Sequence, residues 1–431
     1  MSFPIVGLDI GTSFVRAVIA ELSEDSELRI TGFGKAPSSN GLRNGIIVNI
    51  VATARAISEA IESAELIAGT QVTSCFVAIG GSQIEGVNRK GVAPVAARGS
   101  GGGEISRKDV ESAIETARAV KFPTDRQILH VVPQSYTVDD EPGIKDPVNM
   151  MGVRLEVNVH IVTASMVAVQ NVRTCMSRAG YDLGGIMLKT LAATQAVLTA
   201  EEMELGSIII DIGGGTTDAL VVYEGAPVCS ASIPFGGIHI TRDIGVGKLI
   251  SFEAAEKIKK TSGCCWPDLV ENYDDVIIPR VGGKPPEVIP PGQLCVIIQA
   301  RMEEILRMIR SEIVRKSTVS DLSGNIVLIG GGAALPGAVE LTQKVFSTGA
   351  VRVGKPVAAV PDSLAECRES EYAAAVGLVL SAAPGGALNV VTGEAKPKAP
   401  LEKEKDTPYN GRKKSAKPLG EVIVDYWREL F

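Results

Sequence analysis

One short pattern occurs twice in this chain and limits its fold more than any other feature. Gly7-Leu8-Asp9-Ile10-Gly11-Thr12-Ser13 leads into the apolar run Val15-Arg16-Ala17-Val18-Ile19. Ile209-Ile210-Asp211-Ile212-Gly213-Gly214-Gly215-Thr216-Thr217-Asp218 leads into Ala219-Leu220-Val221-Val222-Tyr223. Each reads as a strand, a tight Gly/Thr/Ser turn and a returning strand, a β-hairpin with an aspartate on its rising arm. A duplicated Asp-Ile-Gly hairpin predicts two related α/β halves that face each other across a cleft.

The rest of the chain fits a large two-part protein. At 431 residues it exceeds one compact core. A net charge of −7 and a pI near 5.3 argue against a surface built for nucleic acid. The seven cysteines contain no C-x-x-C pair and there are three histidines, so neither a zinc site nor a disulfide framework is expected. A reduced, cytosolic setting follows. The start, MSFPIVGLDIG, has no charged leader region and predicts no signal peptide. Tyr372 to Gly393 is free of charge, but Pro384-Gly385-Gly386 interrupts it. The expectation there is a buried helix near 371–383 followed by a linker.

Between the hairpins, strands and helices alternate. Asn49 to Ala68 is helical by spacing, with Ile50, Ile57, Ile61 and Ala64 on one stripe, and Val72 to Ile79 reads as a strand. Ser106-Arg107-Lys108-Asp109 is a capped helix start after the loop Gly99 to Gly103, and Arg154 to Thr163 alternates as a strand. The segment around these, 82–162, reads as an insertion with its own small sheet. A second insertion, 227–299, carries the amphipathic stretch Phe252 to Lys260 and the loop Val281 to Pro286.

A turn of glycine, threonine and serine points successive backbone N–H groups into one concavity, which binds phosphate oxygens without a cationic side chain. Gly213, Gly214, Gly215, Thr216 and Thr217 suit that role, and Gly11, Thr12 and Ser13 supply the opposing nest. Together they would clasp the β- and γ-phosphates of a nucleotide. Asp9 and Asp211 are placed to hold waters of a hydrated Mg2+. No Walker A loop is present. Behind the apolar strand Ile326 to Ile329 lies a third cluster, Gly330 with Gly331, Gly332 and Ala333, where bare backbone lets a purine or ribose lie close, and a helical pattern starts at Pro336. Glu256 and Lys259, one helical turn apart, are candidates for the ribose hydroxyls and a phosphate, although exposed pairs at that spacing are commonplace.

Taken together, the turns at Asp9 and Asp211, the turn Gly330 to Ala333 and the helix Tyr372-Ala373-Ala374-Ala375-Val376-Gly377 resemble the nucleotide signature of actin-like ATPases, which include actin, MreB, DnaK-type chaperones and sugar kinases. Within that superfamily, His130 to Asp139, Gly143-Ile144-Lys145-Asp146-Pro147 and Gly152-Val153-Arg154-Leu155 resemble the bacterial cell-division family FtsA. Ala255-Glu256-Lys257-Ile258-Lys259 is similar to that family's ribose-binding helix, and Gly236 and Gly237 belong to the same expected nucleotide site. The implied fold is an actin-like, ribonuclease H-like duplicated α/β fold of two domains with two inserted subdomains and a C-terminal amphipathic helix. The halves would be 1–81 with 163–200 and 201–226 with 300–383.

The resemblance further implies a protein that binds ATP and Mg2+, polymerises under the membrane at the division septum and anchors the FtsZ ring. The insertion 227–299 would receive the acidic C-terminal peptide of FtsZ, with Lys284, Arg301 and Arg307 as cations. Glu287 stands where the family commonly has an arginine. The first insertion would recruit later division proteins. No residue is plainly placed to orient an attacking water, so slow ATP hydrolysis at most is expected. The other reading, a small-molecule kinase of the same superfamily, needs an acceptor pocket with a general base, and 82–162 shows none.

The C-terminus bears on the choice. Residues 384–418 are rich in Pro, Gly, Lys and Glu and read as a disordered tether, followed by a membrane-targeting helix at 419–431. Ile423, Trp427, Leu430 and Phe431 fall at i, i+4, i+7 and i+8, flanked by Val424 and Tyr426. Glu421, Asp425, Arg428 and Glu429 take the other side. Such a stripe suits the headgroup boundary of a bilayer. A helix docked on the protein's own core would show the same stripe but would not need a charged tether.

Overall fold

A computed structural model of the chain describes residues 4–23, 27–38, 40–96, 102–119, 121–279, 285–317, 324–356 and 360–383. Lys284, the tether 384–418 and the tail 419–431, with Ile423, Val424, Tyr426, Trp427, Leu430 and Phe431, lie outside the described residues.

The first hairpin is β1 (Ile5–Ile10) and β2 (Phe14–Leu22), and β3 (Leu28–Pro37) extends it. A two-residue ribbon, β4 (Leu42–Arg43) with β5 (Ile46–Ile47), leads to α1 (Ile50–Ala68) and β6 (Ser74–Ile79). Helix α1 starts where the Asn49 side chain accepts from Ala52 N at 3.0 Å and ends at Gly69 in the left-handed region. Its stripe buries Ile57, Ile61 and Ala64, whereas Ile50 in the first turn is half-buried.

An inserted layer follows: β7 (Ile84–Pro94), β8 (Gly103–Glu104), α2 (Arg107–Arg118), β9 (Arg126–Val138), β10 (Glu141–Ile144), β11 (Met151–Gly152) and β12 (Arg154–Ser165). Four of these strands form an antiparallel sheet in the order β10-β9-β12-β7. Ser106 caps α2 in a box with Asp109, whose carboxylate accepts from the Ser106 amide at 2.8 Å and its hydroxyl at 2.6 Å. The inward residues of this sheet and helix, among them Ile114, Val131, Val157 and Ile161, bury a core of their own.

The chain then returns through α3 (Met166–Ala179), β13 (Asp182–Leu188), α4 (Lys189–Val197) and α5 (Ala200–Leu205) to the second hairpin, β14 (Ser207–Ile212) and β15 (Thr217–Tyr223). After β16 (Ala226–Ile233) come α6 (Gly237–Lys248), α7 (Phe252–Ser262), β17 (Val276–Ile278), β18 (Glu287–Ile289) and the long α8 (Pro291–Lys316). The last elements are β19 (Asn325–Ile329), α9 (Ala338–Phe346), β20 (Val351–Val353) and α10 (Ala373–Ala382). Helix α9 begins two residues after the expected Pro336, because Gly331–Ala334 form a 3-10 turn and Gly337 is left-handed at φ 87°.

The two large sheets have one plan. The first runs β13-β6-β1-β2-β3 and the second β20-β19-β14-β15-β16. In each, the hairpin and the third strand are antiparallel, and the strands on the other side of the rising arm are parallel. This is the duplication expected from the Asp-Ile-Gly repeat. Between the sheets lie α4 and α10, in clusters that bury Val18 and Ile30 of the first sheet with Ile209 and Val327 of the second. The helices touch where Gly377 meets Ala192: a Cβ there would stand 1.9 Å from the Ala192 carbonyl oxygen. Among the described residues no helix is long and apolar enough to cross a membrane.

Candidate functional site

Each Asp-Ile-Gly turn is closed by one equivalent hydrogen bond. Gly11 N donates to Phe14 O at 3.1 Å, and Gly213 N donates to Thr216 O at 2.9 Å. The N-terminus of α6 holds the second turn from behind, with Gly237 N on Gly213 O at 2.9 Å and Ile238 N on Gly214 O at 2.8 Å. With those carbonyls tied back, the tips are left with their amides: Thr12, Ser13, Gly214 and Gly215 N–H groups make no hydrogen bond among the described residues. Unbonded amides grouped in one concavity are the donor set an anion requires. The tips meet across the cleft, for a Cβ on Gly215 would lie 2.7 Å from Thr12 Oγ1.

Beside them lies a cavity of about 440 Å³. Gly11, Thr12, Ser13, Gly213, Gly214 and Thr216 line one end, Gly331 and Gly332 another, and Glu256 and Lys259 a side. The remaining expected residues stand behind this wall. Thr217 is buried, and its hydroxyl donates to Phe235 O at 2.9 Å. Gly215 abuts Thr12, Gly236 and Gly237 back the second turn, and Ala333 is buried under the third. Glu256 and Lys259 bond each other at 2.7 Å, and Lys259 also donates to Gly237 O at 3.0 Å and to Thr241 Oγ1 at 2.8 Å. Burial works to raise the Glu256 carboxyl, but the Lys259 charge beside it prevails and holds it below its ordinary value.

Asp9 and Asp211 are each 1% exposed, and none of their four carboxylate oxygens has a hydrogen bond among the described residues. What faces them is Lys189, the first residue of α4. Its Nζ is 2.9 Å from Asp211 Oδ2 and 3.4 Å from Asp9 Oδ2. Burial raises the Asp9 carboxyl, against the pull of Lys189 and Arg16. Burial acts to lower the Lys189 ammonium, and the two aspartates outweigh it and raise it. Asp218, opposite Asp211 in the hairpin register, accepts from Gly81 N at 2.8 Å and Thr216 Oγ1 at 3.0 Å. As placed, the Asp9–Asp211 pair meets an ammonium of the chain itself and does not offer an open face to a hydrated Mg2+.

Sequence reasoning missed Lys189. Its signal was present: it is the single charged residue between Asp182 and Glu201 in a run of apolar and small residues. Reasoning from sequence also missed Glu371, which pairs with Arg16 at 2.6 Å and Lys35 at 2.7 Å on the cavity wall. Phe14 sits among these cations, with Lys35 Nζ 4.5 Å and Lys260 Nζ 5.4 Å from its ring centre.

Of the three cations expected to receive an acidic peptide, the two described ones do not converge. Arg301 is turned toward α6 and forks onto Asp243 at 2.5 and 3.2 Å. Arg307, six residues on and on another face of α8, pairs with Glu303 at 2.5 Å. The groove that Arg307 lines also holds Glu303, Glu304 and Glu312.

A family profile described as "Cell division protein FtsA" matches residues 208–377, and one described as "SHS2 domain inserted in FTSA" matches residues 81–163. The cell division protein FtsA of Borreliella burgdorferi is 41% identical over 377 residues, covering 87% of this chain and 90% of that protein. This chain belongs to the FtsA family. FtsA of Escherichia coli K12 is 33% identical over 382 residues, covering 87% of the chain and 89% of that protein. Among solved structures, the PilM–PilN type IV pilus biogenesis complex is similar with a TM-score of 0.62 and 21% identity, covering 88% of this chain and 98% of that one. MreB 5 of Spiroplasma citri bound to AMPPNP is similar with a TM-score of 0.50 and 14% identity, over 88% and 96% of the two chains. These structures establish the actin-like fold. The FtsA matches make this a cell-division protein of the actin-like superfamily and do not favour a small-molecule kinase.

Proposed function

We propose that this FtsA-family chain binds ATP between its two Asp-Ile-Gly turns, assembles with copies of itself on the cytoplasmic face of the membrane and ties the FtsZ ring to it. Later division proteins would be recruited through the inserted layer 82–162. The observation that carries the nucleotide reading is the pair of equivalent turns, each with unbonded amides, meeting at one cavity. MreB 5, of the same fold, is a protein seen with AMPPNP. Hydrolysis would be slow: Glu256, Glu371 and Asp211 on the cavity wall are each ion-paired, which leaves none of them a free base.

Membrane attachment would come from the tail, with Ile423, Val424, Tyr426, Trp427, Leu430 and Phe431 in the headgroup boundary and Arg412, Lys413, Lys414 and Lys417 upstream. One short helix binds a bilayer only marginally, so assembly would supply avidity of ~10²–10⁴-fold. An acidic FtsZ tail would engage Lys284 and exchange with Glu303 for Arg307. Vesicle flotation tests the reading. With ATP and anionic vesicles the intact chain should float and carry FtsZ with it, and the chain lacking 421–431 should remain below, still folded. Equal flotation of both would remove the tail as the anchor.

A further inference from the structure

We propose that the Lys189 ammonium takes the place of the divalent cation at the phosphate end of the cleft, so that ATP binds with little dependence on Mg2+. The proposal rests on the nucleotide reading and specifies the cation of that site.

The two carboxylates are buried, and all four of their oxygens are without hydrogen bonds, so any cation among them is strongly held. Lys189 already stands at ion-pair distance from one oxygen of each. It is not a swinging surface lysine. It opens α4, whose backbone is locked against α10 at the Ala192–Gly377 contact, and its side chain is only 17% exposed. Its side chain also lines the cavity beside the two turns. An ammonium carries three donors, more than the two carboxylate oxygens within ion-pair distance can take up, so one remains for a phosphate oxygen.

A hydrated Mg2+ would have to place its waters on the same aspartate oxygens, because it keeps most of its own water and asks for near-octahedral geometry. Beside a fixed ammonium it is repelled as well. The third carboxylate gives it no alternative: Asp218 is taken up by Gly81 N and Thr216 Oγ1. Among the described residues no cluster of three His, Cys, Asp or Glu side chains stands ready to bind a metal directly.

The test is calorimetric titration of the full chain with ATP, once with excess Mg2+ and once with excess EDTA. The affinity of the native chain should differ by less than about threefold between the two conditions. Lys189→Met should lose about tenfold or more in EDTA and recover most of it with Mg2+, since the metal then has the site to itself. A native chain that loses about tenfold or more in EDTA overturns the proposal, and so does a Lys189→Met chain that binds as the native one does without metal. The native comparison stands even if the variant fails to fold. Binding in neither condition would instead remove the nucleotide reading on which the proposal rests.

Discussion

Gly214 stands so close to Ser13 that a Cβ on it would fall 2.1 Å from the Ser13 hydroxyl oxygen and 3.2 Å from the Ser13 Cβ. Turns from opposite ends of the fold thus meet with no space for a side chain between them. The serine hydroxyl can rotate away from a single methyl but leaves no space for the two further carbons of valine, which separates two substitutions. Gly214→Ala should keep most of the ATP affinity, whereas Gly214→Val should prop the turns apart. ATP at a hundredfold excess over its Kd should stabilise the native chain by about 2.7 kcal/mol and Gly214→Val by nothing measurable, as read from thermal shifts. Equal shifts in both would mean that the phosphates lie elsewhere.

Gly330 is demanded twice over. Its φ is 81°, and a Cβ would lie 2.2 Å from Asp211 Oδ1. Gly330→Ala would incur left-handed strain and displace a buried carboxylate that faces Lys189. A loss of about 1–3 kcal/mol in denaturant unfolding is expected. A loss under about 0.5 kcal/mol would show that the third turn can relax away from Asp211.

Two histidines give the chain an acid limit. Burial lowers His130 to about 3 and His160 to about 4 from an ordinary value of 6.5. The folded state keeps both neutral while the unfolded chain takes up protons below pH 6.5. Their contribution is therefore complete above pH 6.5 and is lost as pH falls toward 4 and then 3. His160 joins the inserted layer to the second half, with Nδ1 2.6 Å from Asn88 Oδ1 and Nε2 3.2 Å from Ser230 Oγ. His160→Gln, which cannot titrate, should flatten the fall in unfolding free energy between pH 6.5 and 4. An unchanged slope would contradict the assignment.

The fold was legible where chemistry is local. Strand, turn and strand around Asp9 and Asp211 follow from apolar alternation and glycine, and the matching sheets follow from the repeat. The Ser106–Asp109 box was also readable, since both partners sit within one turn. What the sequence hid is pairing over distance. Lys189 finds Asp9 across half the first domain and Asp211 in the second, and Arg301 is neutralised by Asp243 on another helix. Neither relation has a spacing that a linear reading can detect. Thr217 differs from Thr216 in where its hydroxyl goes: one donates to Phe235 O behind the turn, and the other to Asp218 at the cavity wall.

Arg307 offers the cleanest probe of the FtsZ contact, because its charge is two-thirds exposed and its partner Glu303 is on its own helix. Arg307→Glu should weaken binding of an acidic FtsZ C-terminal peptide and make the residual binding less sensitive to salt, with no change in melting temperature. Fluorescence anisotropy across a salt series reads both. Unchanged affinity and salt slope would place the peptide away from α8.

The most direct test of the account is a calorimetric titration of ATP into the native chain and into Asp211→Ala and Gly214→Val. The native chain should bind one ATP, and neither variant should give a heat of binding, with circular dichroism showing both still folded. Native-like affinity in both variants would contradict it, because no nucleotide held between these turns could leave both changes unnoticed.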